Sequence, residues 1–108
     1  MGTFIVTKNA DGHYFIKLKG KNGKVMLNSL RYLSKSVCKS EIETIRITAT
    51  DNLKYEYRKT FDGKFYFRLK SALGEVLGHS KLFDSAELRD SEIEMVRKIA
   101  PVAMVSVF

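Results

Sequence analysis

Metal binding needs three or four converging His, Cys or carboxylate ligands, and a nucleophilic cysteine needs a base within hydrogen-bond reach. The sequence offers His13, Cys38 and His79. They fall in a predicted strand, a predicted helix and a strand end, without the short spacing of a ligand motif, so neither a metal site nor a Cys–His pair is expected. Cys38 is read as a helix-boundary residue, because Arg89 stands at the equivalent place 51 positions on. Serines are common, but the Gly-x-Ser-x-Gly nucleophile elbow is missing. Gly20-Lys21-Asn22-Gly23-Lys24 combines glycines and lysines, yet it lacks the P-loop pattern and leads into a strand rather than a helix. Glu41/Glu43 and Glu92/Glu94 are two residues apart and diverge around a helix, so neither is a poised acid–base pair. Together with Asp84, Glu87 and Asp90 they read as solvated helix surface. The expectation is no catalytic residue, no metal, no cofactor and no enzyme.

One constellation survives. Two predicted strands alternate so that one face carries His13, Phe15, Lys17 and Lys19, and the corresponding face of the second carries Lys64, Tyr66, Arg68 and Lys70. Cations neutralise phosphates and aromatic rings stack on unpaired bases. Lysine and arginine stems also shield ring edges from water without any ligand. Phe15, Lys17, Lys19, Lys64, Tyr66, Arg68 and Lys70 are therefore the candidate binding face. The function expected is a non-catalytic small binding or interaction module, the alternative being nucleic-acid binding through that face; either a protein or a nucleic acid fits as its partner.

An internal repeat supplies the elements that position these residues. Shifting the chain by 51 positions aligns its halves without a gap. Asp11-Gly12 falls on Asp62-Gly63, Leu18-Lys19 on Leu69-Lys70, Gly23 on Gly74, and Ser40-Glu41-Ile42-Glu43 on Ser91-Glu92-Ile93-Glu94. Each copy reads as three strands and a helix. The first has strands at Thr3–Lys8, His13–Lys19 and Lys24–Asn28, with turns at Asp11-Gly12 and at Asn22-Gly23, a tight-hairpin signal. The second has strands at Tyr55–Lys59, Lys64–Lys70 and Glu75–His79. Leu73 replaces the turn asparagine there and leaves the type of that turn open.

Helices are predicted from about Ser34 to Ala49 and from about Ser85 to Ala100. Asp84 is taken as the cap of a capping box with Glu87. Ile42, Ile45 and Ala49, like Ile93, Val96 and Ala100, form an apolar stripe. Pro101 disfavours α conformation at Ala100 and ends the second helix. A last strand is predicted over Val102–Val107. The fold class is α+β. Two tandem β-β-β-α repeats are related by pseudo-twofold symmetry in an antiparallel sheet, with both helices on one face and exchange of the strand that follows each helix. Residues 1–108 are one domain, built from repeats at about 3–52 and 54–104 plus the C-terminal strand 102–107.

The run Gly63-Lys64-Phe65-Tyr66-Phe67-Arg68-Leu69-Lys70-Ser71-Ala72-Leu73-Gly74-Glu75-Val76-Leu77, followed by Ser80, Phe83-Asp84-Ser85, Ile93, Val96 and Ala100, resembles the YegP-like family, bacterial domains of unknown function that occur singly or in tandem. The first copy matches it through Gly12, Leu18-Lys19, Asn22-Gly23, Val25 and Ser34. The resemblance implies paired β(3)-α units with an exchanged strand and helices on one side. It brings no catalytic residues. Leu73 stands where the family favours Asn, and Glu92 and Glu41 where a small Gly is usual.

Composition fits this reading. Apolar residues make up 44% and charged residues 29% of 108 residues, a globular balance. The net charge is +7. Nine Lys/Arg against three acids in residues 1–50 give +6, and ten against nine in residues 51–108 give +1. A single cysteine precludes an intrachain disulfide and predicts a reducing, cytoplasmic setting. No signal-peptide pattern and no run of the roughly 20 apolar residues that span a bilayer are seen, so no membrane partner is expected. Monomer and homodimer both fit the repeat. If the strand after the second helix completes the first copy's sheet, a chain ending at Pro101 unfolds at lower urea concentration than the full chain; equal midpoints would remove the interlocking.

Overall fold

The computed structural model describes residues 2–107; Met1 and Phe108, the ends of the predicted 1–108 domain, lie outside the described residues. The elements in order are β1 (Thr3–Lys8), β2 (Tyr14–Lys19), β3 (Val25–Asn28), α1 (Lys35–Thr48), β4 (Tyr55–Lys59), β5 (Phe65–Lys70), β6 (Val76–His79), α2 (Ala86–Ile99) and β7 (Met104–Val107). Short 3-10 turns at Asn52–Lys54 and Ala100–Val102 precede β4 and β7. All seven strands form one sheet in the order β4-β5-β6-β3-β2-β1-β7. From β4 to β1 that order is mirrored about the β3–β6 junction.

The sheet is mixed, which corrects the antiparallel expectation. β7 runs parallel to β1, pairing Thr3 with Met104 and Val6 with Val107. The geometry of arrival explains this. The end of α2 packs on the start of β1, where a Cβ on Gly2 would collide with Ile99 Cγ2. The chain then reaches the sheet with Met104 N–H donating to Gly2 O at 3.1 Å, and from there it can only follow β1 in the same direction. Arg46 of α1 fastens this corner, its Nη1 donating to Ala100 O and Pro101 O at 3.2 and 3.3 Å. The strand after α2 thus extends the first copy's sheet, and the strand after α1, β4, pairs with β5.

Strand alternation sorts the two faces. Phe4, Val6, Ile16, Leu18, Tyr55, Phe67 and Leu69 are buried beneath the helices. The helical stripes Ile42, Ile45, Ala49 and Ile93, Val96, Ala100 close the core from above. Removing such side chains from water stabilises the fold by about 1.5–3 kcal/mol each. Cys38 belongs to this core and has no exposed surface, correcting its boundary assignment. Arg89 at the equivalent place lies with its guanidinium over the rings of Tyr57 and Phe65, so the position is covered in both copies.

Local chemistry sets the element ends. Ser34 Oγ accepts from Val37 N–H and Ser85 Oγ from Leu88 N–H. The second cap is therefore Ser85, not Asp84, and Glu87 falls one position short of closing a capping box; Asp84 instead binds Lys64. α2 stops at Ile99, but Ala100 keeps helical angles (φ −54°, ψ −43°) and starts the 3-10 turn that contains Pro101. In the hairpin loops only Gly12, Gly23, Gly63 and Gly74 have positive φ. The turn at Asn22-Gly23 is thus not one in which both central residues are left-handed. Leu73 can follow the same path because its own φ is negative. Gly23 N–H and Gly74 N–H donate to Gly20 O and Ser71 O, both at 2.9 Å. The buried serines Ser29 and Ser80 do the same work in each copy. Their hydroxyls accept from Ile16 N–H (2.7 Å) and Phe67 N–H (3.0 Å) and donate to Leu30 O and Lys81 O.

The copies meet along β3 and β6, with Asn28 opposite His79. A Cβ on Gly78 would lie 2.8 Å from Leu27 Cγ and 3.1 Å from Asn28 O. Leu27 fills the space that a side chain at Gly78 would need. Gly78→Ala is expected to cost about 1–3 kcal/mol by overpacking, read from urea midpoints, with Leu27→Ala recovering part of the loss in the double mutant. A second expectation concerns Tyr55. Its hydroxyl donates to Ala49 O at 2.8 Å, and burial above all holds its pKa well above the ordinary tyrosine value. Below about pH 10 both folded and unfolded tyrosine keep the proton; above it the unfolded chain loses a proton that the folded chain retains. Stability therefore falls as pH rises beyond about 10, and Tyr55→Phe flattens that fall while costing about 1 kcal/mol at neutral pH.

Candidate binding face

Neither helix covers the second face of the sheet. Strand register lays a row of side chains straight across it: Ile5 on β1 opposite Lys17 on β2, then Asn28 on β3, His79 on β6, Arg68 on β5 and Glu56 on β4. At the usual strand spacing, Lys17 and Arg68 stand roughly 14 Å apart on this row. Phe15 and Lys19 flank Lys17 on β2, and Tyr66 and Lys70 flank Arg68 on β5. All of these are half-buried by their neighbours. Lys64 lies just before β5, is exposed, and holds Asp84 Oδ1 at 2.5 Å. That bond pushes the Lys64 pKa up and the Asp84 pKa down. The structure thus brings six of the seven predicted residues onto one surface and ties the seventh to the start of α2.

The two halves of this surface differ electrostatically. Arg68 Nη2 meets Glu56 Oε1 at 2.5 Å, Lys70 Nζ meets Oε2 at 3.4 Å, and Arg58 Nη1 reaches Oε1 at 3.7 Å. The hydrogen bond from Arg68, reinforced by its charge and that of Lys70, holds the Glu56 carboxyl below its usual range. Glu56 thus gathers three cations of the second copy. Lys17 and Lys19 have no ion-pair partner among the described residues. The cause is one substitution between the copies: Ile5 stands where the second copy has Glu56. The same 51-residue alignment that revealed the repeat carries this signal, once β1 is recognised as the neighbour of β2.

The remaining reactive residues stay apart. Cys38 lies on the core-facing side of α1, and burial, assisted by Glu41, raises its pKa, the opposite of what a nucleophile needs. His79 sits in the row on the open face, its Nδ1 3.2 Å from Ser80 O. His13 Nδ1 is buried without a hydrogen-bond partner. Among the described residues, no group of three His, Cys, Asp or Glu side chains assembles as metal ligands. No helix of the described residues is long and apolar enough to cross a membrane.

Sequence reasoning missed two grooves on the helix side, each between one copy's hairpin and the other copy's helix. The larger, about 540 Å³, lies between the β2–β3 loop and α2, and Glu92 faces it. The smaller, about 380 Å³, lies between β6 and the segment from Leu30 to Glu41. There burial, then Glu41, Cys38 and Glu75, push the Tyr32 hydroxyl up to about 12. Nothing in one copy taken alone signals these grooves, because each takes its walls from both.

Known proteins resemble this chain over nearly its full length. Residues 9–56 and 62–106 each match a domain of unknown function, DUF1508. The UPF0339 protein in the ptx operon 5′ region of Stutzerimonas stutzeri is 36% identical over 104 residues, covering 96% of this chain and 94% of that protein. The UPF0339 protein YegP of Escherichia coli K12 is 32% identical over 96 residues, 89% of this chain and 87% of its own. The solution structure of yegP, a protein of unknown function from E. coli, superposes with a TM-score of 0.92 at 30% identity, covering 98% of this chain and 91% of that one. UPF0339 protein SO3888 of Shewanella oneidensis gives the same TM-score at 26% identity, over 98% and 90%. With two copies of the domain in tandem and the same seven-stranded plan, the chain belongs to the DUF1508 family, the YegP-like UPF0339 proteins.

Proposed function

We infer that the protein is a non-catalytic binding module of the cytoplasm that engages an anionic partner through the helix-free face of its sheet. The reading rests on one observation: Lys17 and Lys19, beside Phe15, lie near the middle of that face without ion-pair partners among the described residues, whereas the equivalent Arg68 and Lys70 are tied to Glu56. An unpaired cation on a flat surface is free to exchange its hydration and counterions for a ligand's charge; one held by a carboxylate must first give that bond up. The duplicated halves, related by a pseudo-twofold axis at the β3–β6 junction, then supply one active and one damped half of the same surface. A single chain contains both copies and needs no partner chain to complete the sheet. β4 and β7 are the edges where a second copy would add, and Arg89 Nη1 already occupies the Arg58 carbonyl of the β4 edge at 3.1 Å.

Single-stranded nucleic acid is the anionic partner favoured by the aromatic content of the face, since Phe15 and Tyr66 offer rings among the cations. Fluorescence anisotropy with labelled single-stranded and duplex oligonucleotides over a salt series tests this. Binding is expected to weaken steeply with salt through counterion release. Lys17→Glu with Lys19→Glu is expected to weaken it at least tenfold, and Arg68→Glu by less. Glu56→Gln, which releases Arg68 and Lys70, is expected to tighten binding several-fold and steepen the salt dependence. No binding at low salt would exclude nucleic acid as the partner.

A further inference from the structure

The larger groove is built differently from its counterpart. Its floor is apolar, formed by Met26 of the first copy with Phe83, Met95 and Ile99 of the second. Leu88 and Met95 of this wall are 53% and 44% exposed, so apolar surface continues from the floor onto the rim. Lys21, Lys24 and Lys81 stand at its rim, none with an ion-pair partner among the described residues. Lys81 rests 5.4 Å from the ring centre of Phe83. Glu92 faces the same space, its carboxyl raised in pKa chiefly by burial and held back by Lys81 and Lys24. A volume near 540 Å³ between two structural units is within the range of small-molecule sites.

The second groove is an internal control, because the repeat aligns every position. Lys24 corresponds to Glu75, Lys81 to Leu30, Met95 to Thr44 and Ile99 to Thr48. Both copies therefore keep the hairpin and the helix. The smaller groove is also lined by apolar side chains, Leu30, Tyr32, Val76 and Leu77, but its charged residues are Arg31, Glu41 and Glu75; only the larger groove gathers three lysines at its rim. The hairpin and helix form equally well with Glu75 where the first copy has Lys24 and with Leu30 where the second has Lys81, so packing does not demand the lysines of the rim.

We propose that this groove binds a small amphipathic carboxylate, with its apolar body along Met26, Phe83, Met95 and Ile99 and its head group between Lys24 and Lys81. A singly charged head fits better than a phosphate dianion, because Glu92 repels each added negative charge in the same half-buried space. The site lies on the helix side of the sheet and does not depend on the open face.

Decanoate below its micelle concentration is the probe, followed through backbone amide chemical shifts of the full chain. Shifts are expected to centre on residues 20–26 and 88–99. Decanol, with the same body and no charge, and acetate, with the head alone, are each expected to bind at least tenfold more weakly. Lys24→Glu with Lys81→Glu is expected to weaken decanoate binding at least tenfold, with the free protein's spectrum retained elsewhere. Glu92→Gln is expected to tighten it several-fold, and this variant reads the head-group position even where the double charge reversal disturbs folding. Shifts centred on the open face or on the smaller groove, decanol binding as well as decanoate, or affinity unmoved or weakened by Glu92→Gln would each overturn the proposal.

Discussion

Leu27 resting on the bare backbone of Gly78 is the contact that joins the two halves of the sheet. The ladder between β3 and β6 pairs only Asn28 with His79, too little hydrogen bonding to fix two sheets rigidly. The missing side chain at Gly78 lets Leu27 close the gap, so packing does what the ladder alone cannot. Two consequences follow on opposite faces. On the open face the row from Lys17 to Arg68 crosses the junction without interruption. On the helix face each hairpin is drawn against the other copy's helix, and a groove forms at each meeting.

The copies agree where folding requires it and differ where it does not. The four left-handed glycines, the serines that satisfy Ile16 N–H and Phe67 N–H, and the helical stripes are matched pair by pair. The glycines answer a positive φ, the serines a buried polar group and the stripes a filled volume, and for each of these few residues will serve. Surface positions carry no such constraint. Exchanging Ile5 for Glu56, or Lys24 for Glu75, leaves strand and hairpin intact and reverses what the local surface attracts. Divergence in charge upon a conserved frame is thus what duplication of this unit makes available.

Much of the frame was legible because its signals are local and occur twice. The shift of 51 residues, the turn glycines and the period of Ile42, Ile45 and Ala49 placed every strand and both helices within two residues of their ends. What escaped depends on neighbours distant in sequence. The direction of β7 is set by where α2 delivers the chain, beside Gly2, which no periodicity encodes. The cap of α2 moved from Asp84 to Ser85 because Asp84 has a better partner in Lys64, 20 residues away. Cys38 reads as a boundary residue by analogy with Arg89, but an arginine can be covered along its stem and around its guanidinium by Tyr57 and Phe65. The candidate face was predicted as a list of seven residues; its division into held and unheld cations required knowing that β4 borders β5.

The charge imbalance of the sequence, +6 against +1, now has a location. The hairpin of β2 and β3 carries Lys17 and Lys19 on its outer face and Lys21 and Lys24 at its tip, four cations within eight residues and no acid among them. The equivalent hairpin carries Arg68, Lys70 and Glu75, with Glu56 beside them. Mutual repulsion of unpaired lysines destabilises a hairpin slightly, and the core side chain beneath does not demand them, since the same leucine, Leu18 or Leu69, is buried under either charge pattern. Residues kept against local electrostatic preference and without a packing return are where function departs from the logic of folding. The first hairpin is the one element that presents such residues both to the open face and to the larger groove, so a ligand on either side meets the same short stretch of chain.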